Sequence, residues 1–262
     1  MTVPVAMIPY SNMAPYRQLG EPRGCRFVPL VPKASIAALL SGAVVAAAVP
    51  VGGLNVLEGV VETVGRFGIA ADGESMSVLL FSRVPFDAMH RPRTLRVTGE
   101  TASSVRLLYL LLGQRHGFDR LPQLATDDCD PDGELLIGDR ALVRGQTSGD
   151  MQPCHVTDLS RKWRDNHGLP FVFARWVVRT DAPESIKSTI AGWLDEFKAR
   201  EADLVEQAVS ETAETLDLAP DIVRRYFHVI RRCLDERDIR GQELFSKMLA
   251  RQGQRPFFQL VS

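Results

Sequence analysis

Asp158–Arg179 reads DLSRKWRDNHGLPFVFARWVVR and carries two of the chain's three tryptophans, Trp163 and Trp176. No helical period explains its apolar half, so Phe171–Arg179 reads as a long strand. Working outward, short apolar strands alternate with helices. Strands are predicted at Val3–Ile8, Val44–Val49, Met76–Phe81, Thr94–Val97 and Glu134–Ile137. Helices are predicted to start at Pro15–Leu19, to span Ser103–Gln114 and to start again at Arg140–Arg144. This alternation predicts α/β layers with mostly parallel sheets.

From Pro183 the texture changes. Glu184–Leu216 reads as one or two amphipathic helices, with Ile186, Ile190, Leu194 and Phe197 on one face. Further helices are predicted at Asp221–Asp235 and Gly241–Arg251, beyond the break at Leu218-Ala219-Pro220. No Gly/Ser/Pro-rich linker precedes this tail, so it is expected to pack on the rest of the chain.

Composition narrows the function classes. The chain has 262 residues, 45% of them hydrophobic and 24% charged, as in an ordinary globular protein. A net charge of −1 gives no broad field for nucleic acid or an anionic membrane, but leaves room for a local site for a small anion. Ile36–Leu57 lacks charged residues, yet Gly42, Pro50, Gly52 and Gly53 break it. It reads as a helix (Lys33–Leu40), a C′ glycine at Gly42 and a buried strand, with no membrane span. The N-terminus has no basic segment of a secretory signal, so a cytoplasmic location is expected. Cys25, Cys129, Cys154 and Cys233 are far apart and read as reduced thiols.

Polar residues gather where strands give way to helices. One such turn is Ile8–Pro15 with Ser11 and Asn12. The second is Val97–Ser104 with Thr101, Ser103 and Ser104. The third is Leu136–Arg140 with Asp139. Ser75-Met76-Ser77 adds hydroxyls before another strand. Ligands of open α/β sheets bind beyond the carboxyl ends of strands, where helix N-termini attract carboxylates and phosphates. The same residue types are also ordinary helix caps, so each turn taken alone reads first as a cap. Other chemistry finds no support. Gly52-Gly53 lacks the setting of a phosphate loop, no GxSxG elbow exists, and the five histidines show no metal spacing. No metal or cofactor is expected. The basic runs Arg91–Arg96, Arg224-Arg225 and Arg231-Arg232 read as solvated faces, and no nucleic-acid motif accompanies them.

Several blocks, in order, resemble the chorismate dehydratase family of the futalosine route to menaquinone. Ile8–Pro15 is similar to that family's Y-x-N-x-x-P turn, and Ser77–Ser82 to its S-V-x-L-F-S strand. Thr101–Ser104 with Leu107-Leu108 resembles its S-x-T-S turn and apolar helix. Ile137–Leu142 resembles I-G-D-x-A-L, and Asp158–Trp176 resembles D-L-G-x-x-W with G-L-P-F-V-x-A-x-W. The family's usual arginine in the second turn is Ala102 here, its first serine is Thr101, and its glycine after Asp158-Leu159 is Ser160.

The resemblance implies an α/β, two-lobed type II periplasmic-binding-protein-like fold with mixed sheets and a helical C-terminal tail. One lobe would combine residues 1–82 and 178–262, and the other residues 83–177. It implies a carbon–oxygen lyase that dehydrates chorismate to 3-(1-carboxyvinyloxy)benzoate without a cofactor, as a monomer or homodimer. It puts Asn12 at the reacting carbon or its hydroxyl. The hydroxyl-rich turns and helix N-termini lead to the expectation that Ser77, Thr101, Ser103 and Ser104 hold the carboxylates, with Ser11 and Asp139 also substrate-binding. The residues leave two alternatives open. One is a binding protein or sensor for a small cyclic carboxylate, and the other an enzyme acting on another enolpyruvyl or futalosine-like substrate.

Overall fold

A computed structural model describes residues 2–91, 93–100, 102–125, 130–147 and 155–255. The strands are β1 Val3–Met7, β2 Cys25–Pro29, β3 Ala46–Pro50, β4 Val61–Ala71, β5 Val78–Ser82, β6 Thr94–Val97, β7 Gln123–Leu124, β8 Gly133–Ile137, β9 His155–Asp158, β10 Phe171–Arg179 and β11 Arg231–Cys233. The helices are α1 Ala14–Leu19, α2 Pro32–Leu40, α3 Ser103–His116, α4 Gly138–Thr147, α5 Leu159–His167, α6 Glu184–Leu216, α7 Pro220–Val229 and α8 Glu236–Gln252. They build two sheets, ordered β11-β4-β10-β3-β1-β2 and β7-β6-β8-β5-β9.

The expectation of mostly parallel sheets is corrected. Only β1–β2, β1–β3, β6–β7 and β6–β8 pair in parallel, while β10 runs against β3 and β4, β11 against β4, and β5 against β8 and β9. Helices α1 and α2 supply the crossovers that parallel neighbours need. Strands that arrive from the other sheet have no such crossover, so nothing imposes the parallel sense on them.

By sheet membership the chain changes lobe between β4 and β5 and returns between α5 and β10. Both crossings come earlier than the expected points at 82 and 177. Strand β5 belongs wholly to the second sheet, and the nine residues of β10 to the first.

The predicted helix over Asp221–Asp235 is also corrected. Helix α7 ends at Val229, Ile230 turns extended, and β11 pairs with β4. The reason is the buried Arg232 guanidinium. Its Nη1 donates to the carbonyls of Phe227 and Ile230 at 3.1 Å, adding side-chain donors to the Ile230 N–H that donates to the Tyr226 carbonyl at 3.3 Å. Arg232 is therefore not part of a solvated basic face.

The tail packs on the rest of the chain. Tyr16 of α1 stacks on Phe197 of α6 at 3.9 Å, and Trp176 of β10 meets Trp193 of α6 edge to face. Phe245 of α8 packs on Phe171 of β10 and on Trp163 of α5, joining the tail to both lobes.

Both lobe crossings are tied to one carboxylate. Asp158 caps α5, accepting the N–H groups of Ser160 at 2.9 Å and Arg161 at 3.2 Å. It also accepts the N–H groups of Ser75 at 2.8 Å and Met76 at 2.9 Å, in the segment leading into β5. Met76 has φ +58°, a left-handed conformation that a non-glycine residue rarely adopts. The two bonds from Ser75 and Met76 hold it there.

Replacing Asp158 by alanine removes a cap and leaves buried N–H groups unpaired, so denaturant unfolding should show a loss of about 2 kcal/mol or more. Asp158→Asn keeps an acceptor and should lose less. A change below about 0.5 kcal/mol in the alanine variant would remove the hinge role.

The start of α8 is held by a pH-sensitive cap. Asp235 closes a capping box with Asp238, and its backbone partners and Arg231 hold its carboxyl down at about 2. A carboxyl lower in the folded chain than its unfolded value of about 4 stabilises above that value and stops doing so as pH falls toward 2. Asp235→Asn should therefore flatten the acid limb of a Tm-against-pH curve between those values. An unchanged limb would refute the assignment.

Candidate functional site

The carboxyl ends of β1 and β3 and the start of β5 face one another across a cleft between the lobes. The cleft holds about 590 Å³ of space unoccupied by protein atoms, its mouth included. From the first lobe it is lined by Ile8, Tyr10 and Asn12 after β1, by Pro50 ending β3, and by Phe173 and Ala174 of β10. The second lobe contributes Ser77 and Val78, the α3 N-terminus at Ala102, Ser103 and Ser104, and Ile137-Gly138 where β8 meets α4.

Asn12 sits on a single 3-10 turn, Ser11–Met13, held from beneath by Arg17 and Arg232. Arg17 donates to the carbonyls of Ile8 at 3.3 Å and Tyr10 at 3.1 Å, and Arg232 Nε donates to the Asn12 carbonyl at 3.4 Å. The Asn12 side-chain Oδ1 is buried and accepts no hydrogen bond among the described residues. A buried amide oxygen without a donor is costly, and a ligand donor would satisfy it.

The serines differ in what they do. Ser77 Oγ donates to the Ser75 carbonyl at 3.3 Å, and burial of the neighbouring Tyr226 pushes its phenol up while the Ser77 hydroxyl pulls it down. Ser103 Oγ accepts the Gly52 N–H at 2.9 Å and donates to the Phe173 carbonyl at 3.4 Å, so it also ties the lobes together. A Cβ at Gly52 would lie 3.0 Å from Ser103 Cα, which explains why a glycine stands there. Ser104 lines the cleft one residue further into α3.

Ser11 and Asp139 meet each other across the lobes. The Ser11 N–H donates to Asp139 Oδ1 at 2.9 Å, and neither residue lines the cleft. Burial pushes the Asp139 carboxyl up, with the Ser11 bonds and Arg17 pulling it down. Thr101 lies outside the described residues, as do Cys129 and Cys154. Cys25 and Cys233 are free thiols.

Sequence reasoning missed Tyr10 as a site residue. Its hydroxyl donates to Glu100 Oε2 at 2.5 Å across the lobes, and burial together with Glu100 pushes the phenol up. Its ring lies 2.9 Å from where a Cβ on Gly138 would be, and Gly138 has φ +62°. Glycine is needed there on both counts. The signal was present in the sequence: Tyr10 precedes Ser11-Asn12, and Gly138 precedes Asp139.

Chemically, the cleft is largely apolar, and its few polar groups are neutral. Among the described residues lining it there is no lysine, arginine, histidine, aspartate or glutamate. What it offers an anion is hydroxyls and the N-terminal N–H groups of α3 and α4, which carry partial positive charge. The described residues contain no cluster of three side chains able to hold a metal ion, and no helix long and apolar enough to cross a membrane.

Comparison with known proteins bears on this arrangement. Chorismate dehydratase from Thermus thermophilus is 28% identical over 267 residues, covering 92% of this chain and 92% of that protein. Among solved structures, a protein from Archaeoglobus fulgidus superposes with a TM-score of 0.73 at 14% identity, over 96% of this chain and 98% of that one. The periplasmic aliphatic sulphonate binding protein of Escherichia coli gives 0.65 at 14% identity, over 97% and 94%. These two likenesses show a periplasmic-binding-protein-like fold. A family model described as menaquinone biosynthesis matches residues 3–251, the span that holds both sheets and every cleft residue, and the chain belongs to that family.

Proposed function

We propose that this chain is a lyase that removes water from chorismate to give 3-(1-carboxyvinyloxy)benzoate. The observation that carries the reading is the buried, unpartnered Asn12 Oδ1 in a cleft whose other polar groups suit carboxylates. In the reaction the ring C–O bond breaks with its electron pair leaving on the hydroxyl. The neighbouring ring hydrogen leaves as a proton to an acceptor, which passes it on to solvent, so that the net loss is one water. Aromatisation of the ring supplies the driving force, so the protein has to orient a dianion and exclude water.

In this reading Ser77, Ser103 and Ser104, with the α3 and α4 N-termini, hold the two carboxylates. Asn12 positions the departing hydroxyl, because an amide is a poor base. Tyr10, its phenol pushed up, is a poor base as well. With no carboxylate or imidazole among the described lining residues, the proton acceptor is one of the substrate's own carboxylates. Thr101, next to Ala102, is assigned to the same carboxylate set. Asp139 and Ser11 act by holding the lobes closed.

The test is incubation with chorismate, followed by liquid chromatography with mass detection. Wild type should give a product lighter by one water. Asn12→Ala and Asn12→Asp should lose about 100-fold or more in kcat with the fold retained. Chorismate bound but returned unchanged would replace this reading with a binding protein for a cyclic carboxylate.

A further prediction follows from the closed lobes. A hydrogen bond to a carboxylate contributes about 1.5–3 kcal/mol, so Tyr10→Phe should weaken chorismate binding about tenfold or more in calorimetry and enlarge the particle in small-angle scattering. Unchanged affinity would mean that the Tyr10–Glu100 contact does not hold the cleft shut.

A further inference from the structure

Arg106 is the most unusual charge in the molecule outside the cleft. It lies on α3, one turn beyond Ala102, and only 8% of its surface is exposed. Its Nη1 donates to the Gly52 carbonyl, and this is its single hydrogen bond among the described residues. No aspartate or glutamate of the described residues pairs with it, and burial lowers the guanidinium from its usual value. A buried guanidinium costs several kcal/mol unless an anion compensates it, and here the protein supplies none.

Arg106 lines a recess that shares Ala102 with the cleft as a lining residue and otherwise has different walls. The recess holds about 570 Å³ including its mouth. Lys33 lines it too and forms no ion pair among the described residues. Its remaining walls are apolar, from Ile36, Leu40 and Val56 among others. Leu40 and Val56 are 45% and 48% exposed, two of the few large apolar side chains left in water. Two cations at an apolar recess with an apolar rim make an amphiphilic environment, unlike the uncharged cleft.

We propose that this recess is a second binding site, taking a monoanion with an apolar body, its carboxylate on Arg106 and Lys33 and its hydrocarbon along Ile36, Leu40 and Val56. The guanidinium offers a fork of N–H donors that matches a carboxylate, and occupancy would compensate its buried charge. The site does not depend on the chemistry assigned to the cleft.

Octanoate is the probe, titrated calorimetrically into the full chain, with octanol as its uncharged counterpart. One octanoate should bind per chain, and octanol at least tenfold more weakly. Arg106→Gln should weaken octanoate at least tenfold. Because Arg106 is buried, folding of that variant is checked by circular dichroism, and Val56→Asp at the exposed rim serves as a second test. Val56 does not line the cleft, so an octanoate held in the cleft would be indifferent to Val56→Asp. No octanoate binding, equal binding of octanol, or wild-type affinity in Val56→Asp would each overturn the proposal.

Discussion

The Asp158 carboxylate is the constraint on which the two-lobed arrangement turns. Four backbone N–H groups converge on it, two from the first turn of α5 and two from Ser75-Met76. Burial pushes this carboxyl up, and the N–H groups pull it down. The chain leaves the first lobe beside this point and returns one helix later, so a single residue fixes the relation between the outgoing and returning strands. It also fixes Met76 in the left-handed region, which sets the direction in which Ser77 enters the cleft. Packing supports the same joint from behind, where Trp163 donates to the Pro170 carbonyl at 3.1 Å and meets Phe171 and Phe245.

With that joint fixed, the cleft can be built from neutral groups. Side chains carrying formal charge are placed at its edges and used for closure: Glu100 on Tyr10, Asp139 on Ser11, Arg17 and Arg232 under the 3-10 turn. A dianion would then be met by dipoles, namely hydroxyls and helix ends. Dipoles held rigidly in a water-poor cleft act more strongly than they would in water, and they cost no reorganisation when charge moves during a reaction.

Much of this was legible in the sequence. Phe171–Arg179 is a strand over the expected residues, because its aromatic and β-branched side chains fit a sheet. Asn12, Ser103 and Ser104 line one cleft because they follow the carboxyl ends of strands, and Ser77 joins them because β5 runs against β8 and so begins where β8 ends. Strand β4 escaped notice because Gly65 and Gly68 and its charged residues interrupt the pattern. Yet the Ala174 carbonyl lies 2.4 Å from where a Cβ on Gly68 would stand, so the glycine marks close strand contact rather than a break. Strand β11 was hidden because arginines read as solvated, whereas Arg232 is buried and donates to the Phe227 and Ile230 carbonyls of its own neighbourhood. The pairing of Ser11 with Asp139 could not be read at all, since it depends on how far the lobes have closed.

Closure and site assembly are the same event in this fold. Tyr10 and Ser11 make two of the bonds that bridge the lobes, and Asn12 is the next residue. Opening the lobes would free the Ser11 N–H and the Tyr10 hydroxyl together and release the upper side of the 3-10 turn, leaving Arg17 and Arg232 to hold it from below. The orientation of Asn12 therefore depends on the lobes being shut. In a fold shared with a solute-binding protein, the residue with the unpartnered buried oxygen, Asn12, directly follows the two residues whose bonds bridge the lobes, so the polar centre of the cleft and the contacts that close it share one turn of chain.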